Sequence, residues 1–159
     1  MKSILSVSSL CAALCMSLAP AATPEQEKAF VETYKKALDA GDAKALNALL
    51  ITDGAEPETI EFFKMMQAPE PGAKVASIEL VTPTAEEAAK YAEAMPMPNG
   101  KEYKLPLKPY KQLVIKTETK TADGSSSSTS QVPIVEKNGK LGIPVPVPAK
   151  AAAAPKGKK

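Results

Sequence analysis

The stretch TPEQEKAFVETYKKALDAGDAKAL, residues 23–46, predicts two helices joined by a sharp corner. Its first four residues match a capping box, in which a hydroxyl caps the helix, Pro follows, and Gln stands three residues after the cap. Apolar side chains then recur at the helical period, as Phe30, Tyr34, Ala37 and Leu38. Gly41 is expected to end this helix, and Asp42 is expected to cap a second, shorter one.

The next part of the chain predicts a third helix and then a change to strands. The third helix is expected over residues 57–67. From residue 73 the hydrophobic period falls from about 3.6 to about 2, which predicts a strand over residues 73–81 with Ala76, Ile78 and Leu80 facing the core. A second capping box, TAEE at residues 84–87, predicts a short fourth helix.

An antiparallel meander is predicted for the remaining residues. Its four strands are expected at residues 102–107, 110–121, 129–136 and 140–147. Residues 123–128 form a longer connection, and Asn138-Gly139 is a strong signal for a tight hairpin. Pro alternates with apolar residues over 143–148, which favours an edge strand or a polyproline II segment over a central strand. Helices followed by antiparallel strands predict the α+β fold class.

The first residues have the pattern of a secretory signal peptide. Lys2 precedes an apolar run over residues 4–18, and Ala19-Pro20-Ala21 is a small-residue cleavage site. We expect cleavage after Ala21 or Ala22 and an extracytoplasmic protein, either periplasmic or secreted, with an uncleaved anchor as the alternative. The chain then divides into a signal peptide (1–22), a single domain (23–148) and an Ala/Lys/Pro-rich tail (149–159) that is predicted to be disordered.

Composition excludes several classes of chemistry. The chain has no His, Trp or Arg, and both cysteines, Cys11 and Cys15, lie in the predicted signal peptide. Ordinary zinc and copper(II) sites, imidazole bases and thiolate nucleophiles are therefore excluded from the mature domain. Without Arg, specific nucleic-acid recognition is not expected. Residues 22–149 carry 15 Lys and 18 acidic residues, and the Lys-rich tail could make weak contact with an anionic envelope surface.

Two segments resemble a known family. FVETYKKALDAGDAKAL (30–46) is similar to the opening of the NTF2-like (SnoaL-like) superfamily, and PIVEKNGKLGI (133–143) is similar to the closing hairpin of its small exported members. The resemblance implies an α+β fold in which N-terminal helices lie across a strongly bent antiparallel sheet and leave a cone-like pocket. It does not imply an activity, because this fold serves many functions.

The candidate ligand-binding residues are those expected to line this cone: Phe30, Tyr34 and Phe63. No catalytic residue is assigned, because the four aspartates have structural explanations at helix ends and turns: Asp39, Asp42, Asp53 and Asp123. A weaker alternative is a copper(I) site built from thioethers: Met65, Met66, Met95 and Met97.

We therefore expect an exported, non-enzymatic protein without a cofactor. It is predicted to bind a small ligand or an envelope protein through its cone or sheet face, and a homodimer through the sheet is possible. One alternative is an isomerase or lyase acting on a small hydrophobic substrate, which requires a buried carboxylate near Tyr34. The other is the copper(I) carrier.

Overall fold

The computed structural model describes residues 22–68, 73–97, 99–121 and 124–149. Over these residues the chain is a mixed α+β structure with four helices and eight strands. The helices are α1 (Pro24–Asp39), α2 (Ala43–Asn47), α3 (Pro57–Met66) and α4 (Ala85–Ala92). The strands are β1 (Leu50–Ile51), β2 (Ala73–Val81), β3 (Met95–Pro96), β4 (Glu102–Lys104), β5 (Lys111–Thr121), β6 (Gly124–Lys137), β7 (Lys140–Pro144) and β8 (Val147–Pro148). The predicted signal peptide up to residue 21, the tail from residue 150 and Asp123 lie outside the described residues.

The described strands form two sheets. The larger has the order β1-β7-β6-β5-β2 and is not closed, and the smaller has the order β3-β4-β8. Pairing is antiparallel throughout, except that β1 runs parallel to β7. The long β5–β6 hairpin extends from the core into solvent, where Ser125–Ser130 are exposed.

The predicted helix boundaries are confirmed where local capping determines them. The Thr23 side chain accepts a hydrogen bond from the Gln26 amide, and the Gln26 side chain accepts one from the Thr23 amide. Thr84 and Glu87 form the same capping box at α4. The Asp42 side chain accepts from the Ala45 amide and caps α2. These bonds satisfy amide donors that a helix start leaves free.

Several predictions about strands are wrong. The strands expected at residues 102–107 and 140–147 are shorter in the structure, as β4 (Glu102–Lys104) and β7 (Lys140–Pro144). A β-bulge between Val75 and Ser77 interrupts the alternation of side chains between the two faces of β2, and Ala76 is therefore exposed. After the bulge, Ile78 lies on the face toward the core. The serine-rich connection is not a loop, because residues 124–128 belong to β6 and pair with β5.

The proline-rich segment 143–148 is divided between the two sheets. Residues 143–144 belong to β7, which lies between β6 and β1 and is not an edge strand, whereas β8 (Val147–Pro148) is an edge strand of the smaller sheet, as predicted. The Ile143 and Val145 amides donate to the carbonyls of Leu49 and Ile51, each over 2.9 Å. Pro144 and Pro146, which have no amide hydrogen, stand at the alternate positions, where no donor to β1 is needed. The alternation of Pro with apolar residues is therefore compatible with a strand inside the sheet.

The main core lies between α1, α2 and the larger sheet. Its buried residues are Phe30, Tyr34, Ala37, Leu46, Leu113, Ile115, Ile134 and Ile143. The apolar stripe of α1 supplies three of these side chains, which confirms the predicted orientation of that helix.

Candidate functional site

A cavity of about 520 Å³ lies between the helices and the sheets. Side chains from α1, α3, α4, β2, β5, β6 and the segment around β7 contribute to its wall. Its apolar wall includes Leu38, Phe63, Val75, Leu105, Ile115 and Val132. This volume falls in the range of about 300–1,000 Å³ that is usual for small-molecule sites.

The polar groups on the cavity wall are all uncharged. They are supplied by tyrosine, glutamine, serine and threonine side chains: Tyr34, Gln67, Tyr91, Thr117, Ser128, Ser130 and Gln131. Among the described residues that line the cavity there is no Asp, Glu or Lys. A ligand with a formal charge would therefore enter without a counterion, which is costly in an apolar environment.

Gln67 and Tyr34 are two of the polar side chains at the cavity. The Gln67 Oε1 atom is buried and accepts no hydrogen bond from the described residues. Tyr34 is 4% exposed, and burial raises the pKa of its phenol, so the hydroxyl keeps its proton at neutral pH. A buried acceptor without a partner, such as Gln67 Oε1 among the described residues, costs about 1–3 kcal/mol.

Helix α4 is held over the sheet by side-chain hydrogen bonds that position Tyr91 at the cavity. The Tyr91 hydroxyl donates to Gln112 Oε1 over 2.8 Å, and Gln131 Nε2 donates to Glu87 Oε1 over 3.1 Å. The Thr84 amide and hydroxyl also donate to Glu87. Chiefly because of the Thr84 amide, the pKa of Glu87 falls to about 2. Its carboxylate is therefore ionised at neutral pH and serves as an acceptor that anchors α4.

A second polar cluster fixes the start of α3. Tyr103 is completely buried, and its hydroxyl donates to Glu56 Oε2 over 2.5 Å while accepting from Asn99 Nδ2 over 2.9 Å. Lys101 Nζ lies 3.2 Å from both Glu56 oxygens. The Tyr103 hydroxyl and then Lys101 lower the pKa of Glu56. These contacts join α3 to β4, so the helix that carries Phe63 and Gln67 is attached to the smaller sheet.

The predicted ligand-binding residues separate into two groups. Tyr34 and Phe63 both line the cavity, whereas Phe30 lies in the main core. Phe30 is one helical turn before Tyr34 on the same stripe of α1, so the periodicity places both on one face without distinguishing core from cavity wall.

The methionines of the copper(I) alternative are also divided. Met66 and Met95 line the cavity, and Met66 is 67% exposed, as expected at an opening. Met65 is 65% exposed on α3, and the Met97 amide donates to the Lys101 carbonyl in the turn before β4.

The described aspartates have structural roles, of which the Asp42 cap was predicted from the sequence and the two ion pairs were not. Asp39 pairs with Lys35 over 2.6 Å, Asp42 caps α2, and Asp53 pairs with Lys137 over 2.7 Å.

Sequence reasoning did not identify Gln67 or Tyr91 as cavity residues. The spacing from Glu87 to Tyr91 is i,i+4, which places both on one face of α4 and could have indicated a shared role. Gln67 follows the last residue of α3, and no local pattern distinguishes it.

No protein-family model matches the chain, and no curated protein is significantly similar to it. Among the described residues, no helix is long and apolar enough to cross a membrane.

Proposed function

We propose that this chain is an exported, non-enzymatic binding protein of the NTF2-like type, which holds a small, neutral, largely apolar molecule in its cavity. The observation that carries the proposal is the cavity of about 520 Å³, whose described lining residues carry no charge. In this proposal the larger sheet bends around the ligand as the wall of a cone. The order of helices first and antiparallel strands later supports it.

The wall indicates which groups the ligand carries. The Gln67 Oε1 atom needs a hydrogen-bond donor, and the Tyr34 hydroxyl can donate to an acceptor. The rest of the ligand meets aliphatic and aromatic side chains, whose burial drives binding. A neutral aromatic or alicyclic molecule with one hydroxyl group, which can both donate and accept, satisfies all three conditions.

The first experiment is native mass spectrometry of the protein purified from the envelope of its own organism. We expect a retained neutral organic molecule that is released on denaturation. Recovery of the protein from the cytoplasm with its first 21 residues attached would refute export.

A second experiment tests the cavity directly with a neutral fluorescent probe, N-phenyl-1-naphthylamine, which carries one N–H donor. Val75→Trp places a large ring in the cavity and should weaken binding strongly, whereas Gln67→Leu keeps the size of the side chain and should weaken binding about 5- to 20-fold through loss of one hydrogen bond. Met65→Leu, on the exposed part of α3, is the matched control and should bind normally. Equal probe binding by the Val75→Trp variant and the unmodified protein would refute the cavity as the site.

A copper(I) carrier is the second candidate, because Met66 and Met95 line the same cavity. Native mass spectrometry distinguishes it from an organic carrier, since bound copper has a characteristic mass and isotope pattern. The predicted homodimer through the sheet and the contact of the tail with an anionic envelope surface stay predictions.

A further inference from the structure

Ala22 is attached to β6 by its backbone amide, which donates to Glu136 Oε2 over 3.2 Å. Its carbonyl oxygen lies 3.4 Å from the Tyr110 hydroxyl, whose single proton is donated to Glu27 over the shorter distance of 2.7 Å. The residue is only 7% exposed. The chain is therefore held in place one residue before the cap of α1, at a position that the signal pattern marks as a cleavage point.

The charges around Ala22 do not balance. Glu136 is half-buried on β6, and among the described residues the Ala22 amide is the donor to its carboxylate. Glu27 lies on the other side of Tyr110 and accepts from the Tyr110 hydroxyl and from Lys111 Nζ, each over 2.7 Å. Lys111 thus pairs with Glu27, whereas among the described residues no lysine forms an ion pair with Glu136. A half-buried carboxylate is poorly compensated by a single neutral amide.

We infer that export processing cuts the Ala21–Ala22 bond and that the new α-ammonium group of Ala22 forms an ion pair with Glu136. This inference rests on the export that we propose. Hydrolysis adds one water across the peptide bond, which leaves a carboxylate on Ala21 and an amine on Ala22 that takes up a proton at neutral pH. The added positive charge balances the cluster.

The alternative cut, after Ala22, would give a mature chain whose start makes fewer contacts with the domain. It would remove the residue that contacts Glu136 and Tyr110. It would also put the ammonium group on Thr23, whose amide donates to Gln26 Oε1 over 2.7 Å in the capping box. A positive charge at the N-terminus of a helix opposes the helix dipole.

The test begins with the protein isolated from the envelope, whose first residue is identified by N-terminal sequencing and intact mass. The proton affinity of its α-amine is then followed by NMR through the Ala22 methyl signal as the pH is raised. The processed chain has no His and no Cys, so the α-amine is the one group that ordinarily titrates between about pH 6 and 9.

We expect Ala22 as the first residue and a proton affinity about tenfold above that of an ordinary α-amine. Glu136→Gln should abolish this increase, whereas Glu118→Gln, an exposed carboxylate on β5, should leave it unchanged. A mature chain that starts at Thr23 would overturn the inference and leave export intact. An Ala22 amine that titrates normally in both the unmodified and Glu136→Gln proteins would also overturn it. Absence of any cleavage would instead refute the proposed export.

Discussion

The contact between Glu27 and Lys111 gives a sharp test of how α1 is fixed to the sheet. The two side chains lie 2.7 Å apart and are 20% and 22% exposed, and the Tyr110 hydroxyl donates to the other Glu27 oxygen. We predict that Glu27→Gln destabilises the protein, because the substitution leaves the Lys111 ammonium without its carboxylate.

The size of the effect follows from the partial burial of the pair. A charge-assisted hydrogen bond contributes about 1.5–3 kcal/mol, whereas an exposed ion pair contributes about 0.2–1 kcal/mol. With about a fifth of each side chain exposed, we expect a loss of about 1.5 kcal/mol in the free energy of unfolding. For a domain of this size that lowers Tm by about 6 °C.

The effect should depend on pH in a known direction. Lys111 and then Tyr110 lower the pKa of Glu27 below 4.5, so its ionised form is stabilised in the folded protein. The contribution is complete above the unfolded pKa and is lost as the pH falls through the folded pKa. The stability difference between the unmodified and Glu27→Gln proteins should therefore be full at pH 7 and should disappear at strongly acidic pH.

Urea unfolding followed by circular dichroism at several pH values measures this difference. Glu32→Gln, an exposed carboxylate on the same helix, is the matched control and should change stability by less than about 0.5 kcal/mol. The reasoning is refuted when Glu27→Gln and Glu32→Gln destabilise equally, or when the Glu27→Gln difference persists unchanged in acid.

Three further substitutions test packing and capping. Gly142→Ala should cost about 1–3 kcal/mol, because the new Cβ would lie 2.7 Å from the Ile51 side chain; a thermal unfolding midpoint equal to that of the unmodified protein would contradict this close approach. Leu46→Ala should cost about 2–5 kcal/mol, since Leu46 is completely buried; a loss below 1 kcal/mol in urea would contradict the core assignment. Thr84→Ala removes the cap of α4 and should cost about 1 kcal/mol, with Thr84→Ser restoring most of it in the same assay.

Local features of the fold could be predicted because their partners are close in sequence. The capping box at Thr23 closes within three residues, and so does the one at Thr84. The hairpin turn at Asn138 and Gly139 needs only two residues that tolerate positive φ, and their φ angles are 53° and 74°. Such elements depend on short-range sterics and hydrogen bonds, which the residue types themselves determine.

The candidate site could be predicted only in part. Tyr34 and Phe63 were identified by helical spacing and line the cavity, but the same spacing selected Phe30, which packs in the core. Gln67 was missed because its importance comes from the absence of a partner for Oε1, a property that depends on everything around it. A pattern along one helix indicates which side chains face inward. It does not indicate whether those side chains pack in the core or line a cavity.

The sequence alone determined where helices start and turns occur and which chemistries composition excludes. Only the tertiary structure decided that Ala76 points outward at a bulge, that β7 lies inside the larger sheet, and that Glu27 meets Lys111, 84 positions away. The physical reason is that strand pairing and register depend on contacts between distant residues, and a shift of one residue reverses the face on which a side chain lies.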